Sequence, residues 1–121
     1  MPELIEGKHP GEHIVHEESK DLCRIKGTLA AGNLVAGAVL GQKSADDEFV
    51  ELAPAAADGS EVAAGILWAN TDASTAAQLA IVHTRLTKVR DENLTWPVGI
   101  TGPQKTAAIA QLAALNIIVQ L

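Results

Sequence analysis

Three of the four histidines, His9, His13 and His16, stand at i, i+4 and i+7, a spacing that on a helix would set three imidazoles on one face and suit a zinc ion. Pro10 and Gly11 interrupt that spacing, so no helix is expected there. The histidines are read as solvated or facing a partner, and no metal is predicted. His83 ends an apolar run and reads as a strand-end histidine satisfied by its neighbours rather than a general base. Ser19, Ser44, Ser60 and Ser74 lack the Gly-x-Ser-x-Gly setting of a nucleophile elbow. Asp46, Asp47 and Glu48 are consecutive in a turn, where burial that would raise a carboxyl pKa is hard to arrange. Gly32, Gly37 and Gly41 have neither dinucleotide nor Walker spacing. Cys23, close to Asp21 and without a second cysteine, reads as a small strand residue. The sequence therefore predicts no catalytic residue and no cofactor.

The elements that must carry these residues are mostly short strands. Arg24 to Leu29 alternates, Ala30 to Asn33 is a turn, and Leu34 to Leu40 is an apolar run broken at Gly37 and closed by Gly41. Glu48 to Leu52 is a further strand, and Ala53 to Ser60 a loop. Val62 to Trp68 reads as a buried strand in which Gly65 marks a bulge or a close backbone approach. Asn70 to Ser74 reads as a turn. Ala77 to His83, apolar on both faces, is placed centrally in the sheet, and Leu86 to Val89 is more exposed. Trp96-Pro97 is read as a core anchor beneath a loop. One helix is predicted, from about Pro103 to Leu115, with Lys105, Ile109, Leu112 and Asn116 at helical spacing. Asn116 is expected in the left-handed closing position, followed by a strand over 117–121.

Residues 1–20 differ: five glutamates, two prolines, two glycines, and no sustained apolar period. They are read as an extended N-terminal arm outside a domain of residues 21–121. The arm's apolar residues Leu4, Ile5, Ile14 and Val15 cannot build a core, but main-chain pairing with a partner strand is open to them. Deleting residues 1–20 is therefore expected to leave a cooperatively folded domain.

Composition excludes several function classes. The 121 residues carry 9 Lys/Arg against 15 Asp/Glu, a net charge of −6. Residues 1–61 hold twelve acids and five bases (−7), residues 62–121 three and four (+1), so nucleic-acid binding is not expected. The cluster Arg85, Lys88 and Arg90 reads as a solvated strand edge. No apolar stretch approaches the roughly 20 residues of a membrane helix, and residues 1–20 lack the pattern of a secretory leader.

Several segments, in order, resemble the lambda-type phage head decoration proteins. These are Arg24 to Leu34 with Ala36 to Gly41, Ala55 to Gly59, Val62 to Leu67, Leu94-Thr95-Trp96-Pro97, and the helix leading into Ile117-Ile118-Val119. The resemblance implies a small, mainly β protein of the β-clip type, a barrel or sandwich of short strands with one C-terminal helix. It implies homotrimers on the outer capsid surface at local three-fold positions, bound to the major capsid protein and cementing the shell. It also implies that the N-terminal arm makes the contact, which assigns capsid binding to Leu4, Ile5, His9, His13, Ile14 and Val15, with Gly65, Trp96, Pro97 and Asn116 as structural positions. The protein would be made in a bacterial cytoplasm, where a single reduced cysteine is at home. The other reading is a β-clip carbohydrate-binding module, which would need exposed aromatics beside a polar cluster.

Overall fold

A computed structural model describes residue 11, residues 13–17 and residues 19–120. The chain runs β1 (Ile14–Glu17), a single helical turn α1 (Lys20–Cys23), β2 (Arg24–Leu29), β3 (Gly32–Leu34), β4 (Val39–Gln42) and β5 (Phe49–Glu51). It continues through β6 (Ala63–Leu67), β7 (Thr71–Ala73), β8 (Gln78–His83), β9 (Thr87–Arg90), a short 3-10 turn (Asp91–Asn93), α2 (Gly102–Ala114) and β10 (Ile117–Gln120). The expected class, mainly β with one C-terminal helix, is the class observed.

Five strands close a small barrel in the order β2-β5-β4-β6-β8, and β8 pairs back onto β2. Its interior is filled by Leu29, Leu40, Phe49, Leu67 and Val82, each at most 2% exposed. A second apolar layer lies between the barrel and α2, formed by Val39, Ile66, Val89, Leu112 and Ile117. Thr101 and Gln104 start α2 with a reciprocal capping box: the Thr101 hydroxyl accepts from the Gln104 amide, and the Gln104 side chain accepts from the Thr101 amide. Asn116 ends it at φ 62°, a conformation asparagine tolerates, and turns the chain into β10.

Gly65 lies where two strands crowd. A Cβ there would sit 2.6 Å from Val82 Cγ1 and 2.8 Å from the His83 carbonyl oxygen. The β4–β6 register also slips beside it, pairing Leu40 with Gly65 but Gly41 with Ala63.

Several expected boundaries move. Gly41 lies inside β4 rather than closing the run before it. Of the two segments expected as turns, Ala30 to Asn33 overlaps β3 and Asn70 to Ser74 contains β7, and these strands pair with each other in a two-stranded sheet. Their polar, glycine-containing composition reads as loop until a partner supplies the ladder. In β8 only one face is interior: Ala80 and Val82 are buried, whereas Leu79 is 67% exposed on the barrel's outside. The basic cluster does not mark an edge. β9 is the middle strand of the sheet β1-β9-β10, antiparallel to β1 and parallel to β10.

Residues 14–17 of the expected arm form β1, paired with β9, and His13 is fully buried. Residues 1–10, 12 and 18 of the arm lie outside the described residues.

Candidate functional site

Beyond its pairing with β9, β1 is held to the barrel by the carboxylate of Glu17. Glu17 accepts two hydrogen bonds from Arg24, from Nε at 3.1 Å and Nη2 at 2.7 Å, and its Oε2 lies 2.7 Å from His83 Nε2. Arg24 on β2 and His83 on β8 are register partners in the barrel wall, so adjacent strands grip a single side chain of a neighbouring sheet. The Arg24 guanidinium lies 4.7 Å from the centre of the Trp68 ring, a cation–π contact that holds the fork in place. The His13 ring meets the His83 ring edge-on, at 6.0 Å and 86°. Backbone bonds extend the attachment: Gly11 donates to the Trp68 carbonyl and Arg90 to the His13 carbonyl, each at 2.9 Å.

The electrostatics follow from burial and from the donors. Burial pushes the His83 pKa below its ordinary 6.5, and the positive charge of Arg24 acts in the same direction. The Glu17 hydrogen bond and charge oppose this without cancelling it. The imidazole is thus neutral near pH 7. A carboxylate can only accept, so Nε2–H donates to Glu17, and Nδ1 is left buried with no hydrogen-bond partner among the described residues. For Glu17, burial alone would raise the pKa, but the hydrogen bonds and charges of Arg24 and His83 together outweigh it and hold the carboxyl below 4.5.

This arrangement secures a strand and lacks the parts of a catalytic centre. His83 has no room for a substrate, being fully buried. Among the serines, Ser60 and Ser74 donate to Asp58 and Asp72 two positions earlier, both at 2.5 Å, in local turns without an intervening base. Those hydroxyls, with the serine amides, hold both aspartates below the usual carboxylate value. Cys23 is buried and its Sγ donates to the Leu86 carbonyl. An open hollow of about 530 Å³ between barrel and α2 is lined largely by apolar groups, among them Phe49, Ala63 and Leu115. Both tryptophans are engaged: Trp68 lies under Arg24, while Trp96 donates from Nε1 to Asp91 Oδ1 at 2.9 Å and has the Lys105 ammonium 5.3 Å from its ring centre. The exposed aromatic beside a polar cluster that a sugar site requires is not formed among the described residues.

Of the residues assigned to partner binding, His13, Ile14 and Val15 fall among the described residues. Leu4, Ile5 and His9 lie outside the described residues. His13 is fully buried, so its side chain faces the body of the protein, and Ile14 is half-buried opposite Val89. This placement follows from antiparallel pairing with β9, which no local pattern in residues 1–20 specified. Val15, 39% exposed at a bulge between Ile14 and His16, faces outward. Gly65 lies in the barrel wall, Pro97 is buried, and Trp96 packs against the core beside the α2 layer. Glu17 and Arg24, unmarked by sequence reasoning, organise the junction; Glu17 lies 66 positions from His83, so no local motif could have paired them.

A family model described as Bacteriophage lambda head decoration protein D matches residues 3–117, nearly the whole chain. No curated protein matches the chain. No described helix is long and apolar enough to cross a membrane.

Proposed function

The chain belongs to the family of the bacteriophage lambda head decoration protein D, and from that premise we propose that it binds the outer surface of a phage head as trimers at local three-fold positions and stabilises the shell. Membership of the family supports a location on the capsid of the virion and a structural role. The single observation that carries the reading is the extent of the match, which includes most of the N-terminal segment as well as the barrel and α2. The small closed barrel is read as the β-clip type, with the major capsid protein as partner.

In this reading Leu4, Ile5, His9 and Val15 supply the arm's contacts to the capsid, in part by strand addition. His13, fully buried, and Ile14, half-buried opposite Val89, fix where the arm leaves the body. The Glu17 junction then serves as the arm's anchor: strain on the arm passes through β1 to two barrel strands at once. Each contact can be weak. Three arms engaging together raise the overall affinity by roughly 10²–10⁴ over one.

Co-sedimentation with undecorated capsids, followed by counting copies per particle, tests the reading. Three copies per local three-fold position and increased resistance of the particle to heat are expected. Absence of binding, or binding of single copies without stabilisation, overturns it.

A further inference from the structure

His83 lies on the outside of the barrel wall, yet it is fully buried. Side chains alternate along β8: Ala80 and Val82 fill the interior, while Leu79, Ile81 and His83 point outward. Leu79 is 67% exposed and Ile81 is half-buried, whereas His83 is 0% exposed. The difference arises where the N-terminal segment crosses the wall. The His13 ring stands edge-on to His83 at 6.0 Å, and Glu17 of β1 lies 2.7 Å from its Nε2. The groups around the ring make it a poor place for a second proton. Nε2–H already donates to Glu17, and Nδ1 is buried with no hydrogen-bond partner among the described residues. Arg24 of β2, the register partner of His83, brings a positive charge to the same carboxylate. Only the Glu17 carboxylate favours a charged ring.

We propose that β1 is an acid-released latch: proton uptake by His83 frees residues 13–17 from the barrel wall and from β9 while the barrel and α2 stay folded. Detachment exposes the ring to water, gives Nδ1 a solvent partner and restores the ordinary affinity for a proton. The detached arrangement therefore binds a proton that the attached one refuses, and acid favours detachment by mass action. Glu17 acts in the same direction at lower pH, because Arg24 and His83 hold its carboxylate ionised only while β1 is in place. The opening can stay local because the barrel closes as β2-β5-β4-β6-β8 without β1. Neither of the two apolar clusters, in the barrel and beneath α2, draws a residue from 13–17 among the described residues. The latch is a property of the free chain, independent of the decoration reading. Where that reading holds, acid slackens the anchor of the arm.

The test is amide hydrogen exchange of the free, full-length chain, followed by NMR from about pH 8 to about pH 5 and corrected for the intrinsic pH dependence of exchange. The Arg90 amide, which donates to the His13 carbonyl, reports attachment of the N-terminal segment; the Leu67 amide, which donates to the Ala38 carbonyl, reports the barrel. Below pH 6.5 the opening equilibrium at Arg90 is expected to rise by up to about tenfold per pH unit while Leu67 keeps its protection. His83→Gln, which retains a donor for Glu17 but takes up no proton, is expected to remove that rise. Where His83→Gln fails to fold, the wild-type ring signals decide: a His83 ring that gains its proton in step with the loss of Arg90 protection supports the latch, and a protonated ring beneath a protected Arg90 overturns it. Opening at Arg90 that is flat over this range, Arg90 and Leu67 losing protection together, or a rise that survives in His83→Gln each overturns it as well. None of these outcomes involves a capsid, so the decoration reading stands or falls on co-sedimentation alone.

Discussion

His83 Nε2 and Glu17 Oε2 lie 2.7 Å apart across 66 positions of sequence, and this contact ties the N-terminal strand to the barrel wall. It joins a fully buried imidazole to a carboxylate that is 16% exposed and also held by Arg24. Its consequences extend from stability to the position of the arm.

Acid should loosen this junction in two stages. An unfolded chain binds the His83 proton at the ordinary value of 6.5, whereas the folded chain binds it only at lower pH. Between the two values the unfolded state holds more protons, so His83's contribution is complete above 6.5 and is lost as pH falls toward the folded value. Glu17 acts with the same sign further down: its contribution is complete above 4.5 and is lost as pH falls through its depressed folded value. Thermal midpoints measured from neutral to acid pH should therefore fall in two steps, and His83→Gln should remove the first. A midpoint in wild type that is flat down to pH 4.5 would contradict the assignment.

Truncations should divide the N-terminal segment at β1. Removing residues 1–10 keeps Gly11, β1 and the Glu17 contacts, and is expected to leave the thermal midpoint within a degree or so of wild type while capsid binding drops sharply. Removing residues 1–20 takes away β1, uncovers the edge of β9, and leaves His83 and Arg24 without their shared acceptor. That deletion, expected from sequence to be harmless to folding, should instead lower stability by about 2–4 kcal/mol. Chemical denaturation of the two truncated chains distinguishes the outcomes.

Gly65→Val should destabilise the barrel by about 1–3 kcal/mol, because even the first added carbon would meet Val82 and the His83 carbonyl at under 3 Å. The strain falls on the strand that carries His83, so the acid transition should also move toward neutral pH. Equilibrium unfolding at pH 7 and pH 5 measures both effects.

Thr101→Ala removes one half of the capping box that starts α2 and leaves the Gln104 amide without its partner. A loss of about 1 kcal/mol is expected by denaturant unfolding. The N-terminal arm proposed to meet the capsid is untouched in this variant, so binding per folded molecule should equal that of wild type.

Local signals in the sequence determined a good part of this structure. The alternation in Arg24–Leu29 is β2 to the residue, and the alanine-rich segment with a proline in its first turn is α2 within one position at each end. Asn116 takes the left-handed turn expected after the helix. These features depend on interactions within a few residues, where propensity, capping and periodicity act directly. Tertiary structure alone decided the rest. β3 and β7 are three residues each and become strands only because each supplies the other's ladder. Leu79 and Val82 are both apolar, yet closure of the barrel buries one and exposes the other. Lys88 lies at the centre of a sheet because β1 and β10 arrive from opposite ends of the chain to flank it. Glu17, in a segment that reads as a polar arm, becomes the anchor of that arm because folding brings it to Arg24 and His83. Burial and charge pairing depend on which distant residues meet, and that is set by the order of strands rather than by any stretch of sequence alone.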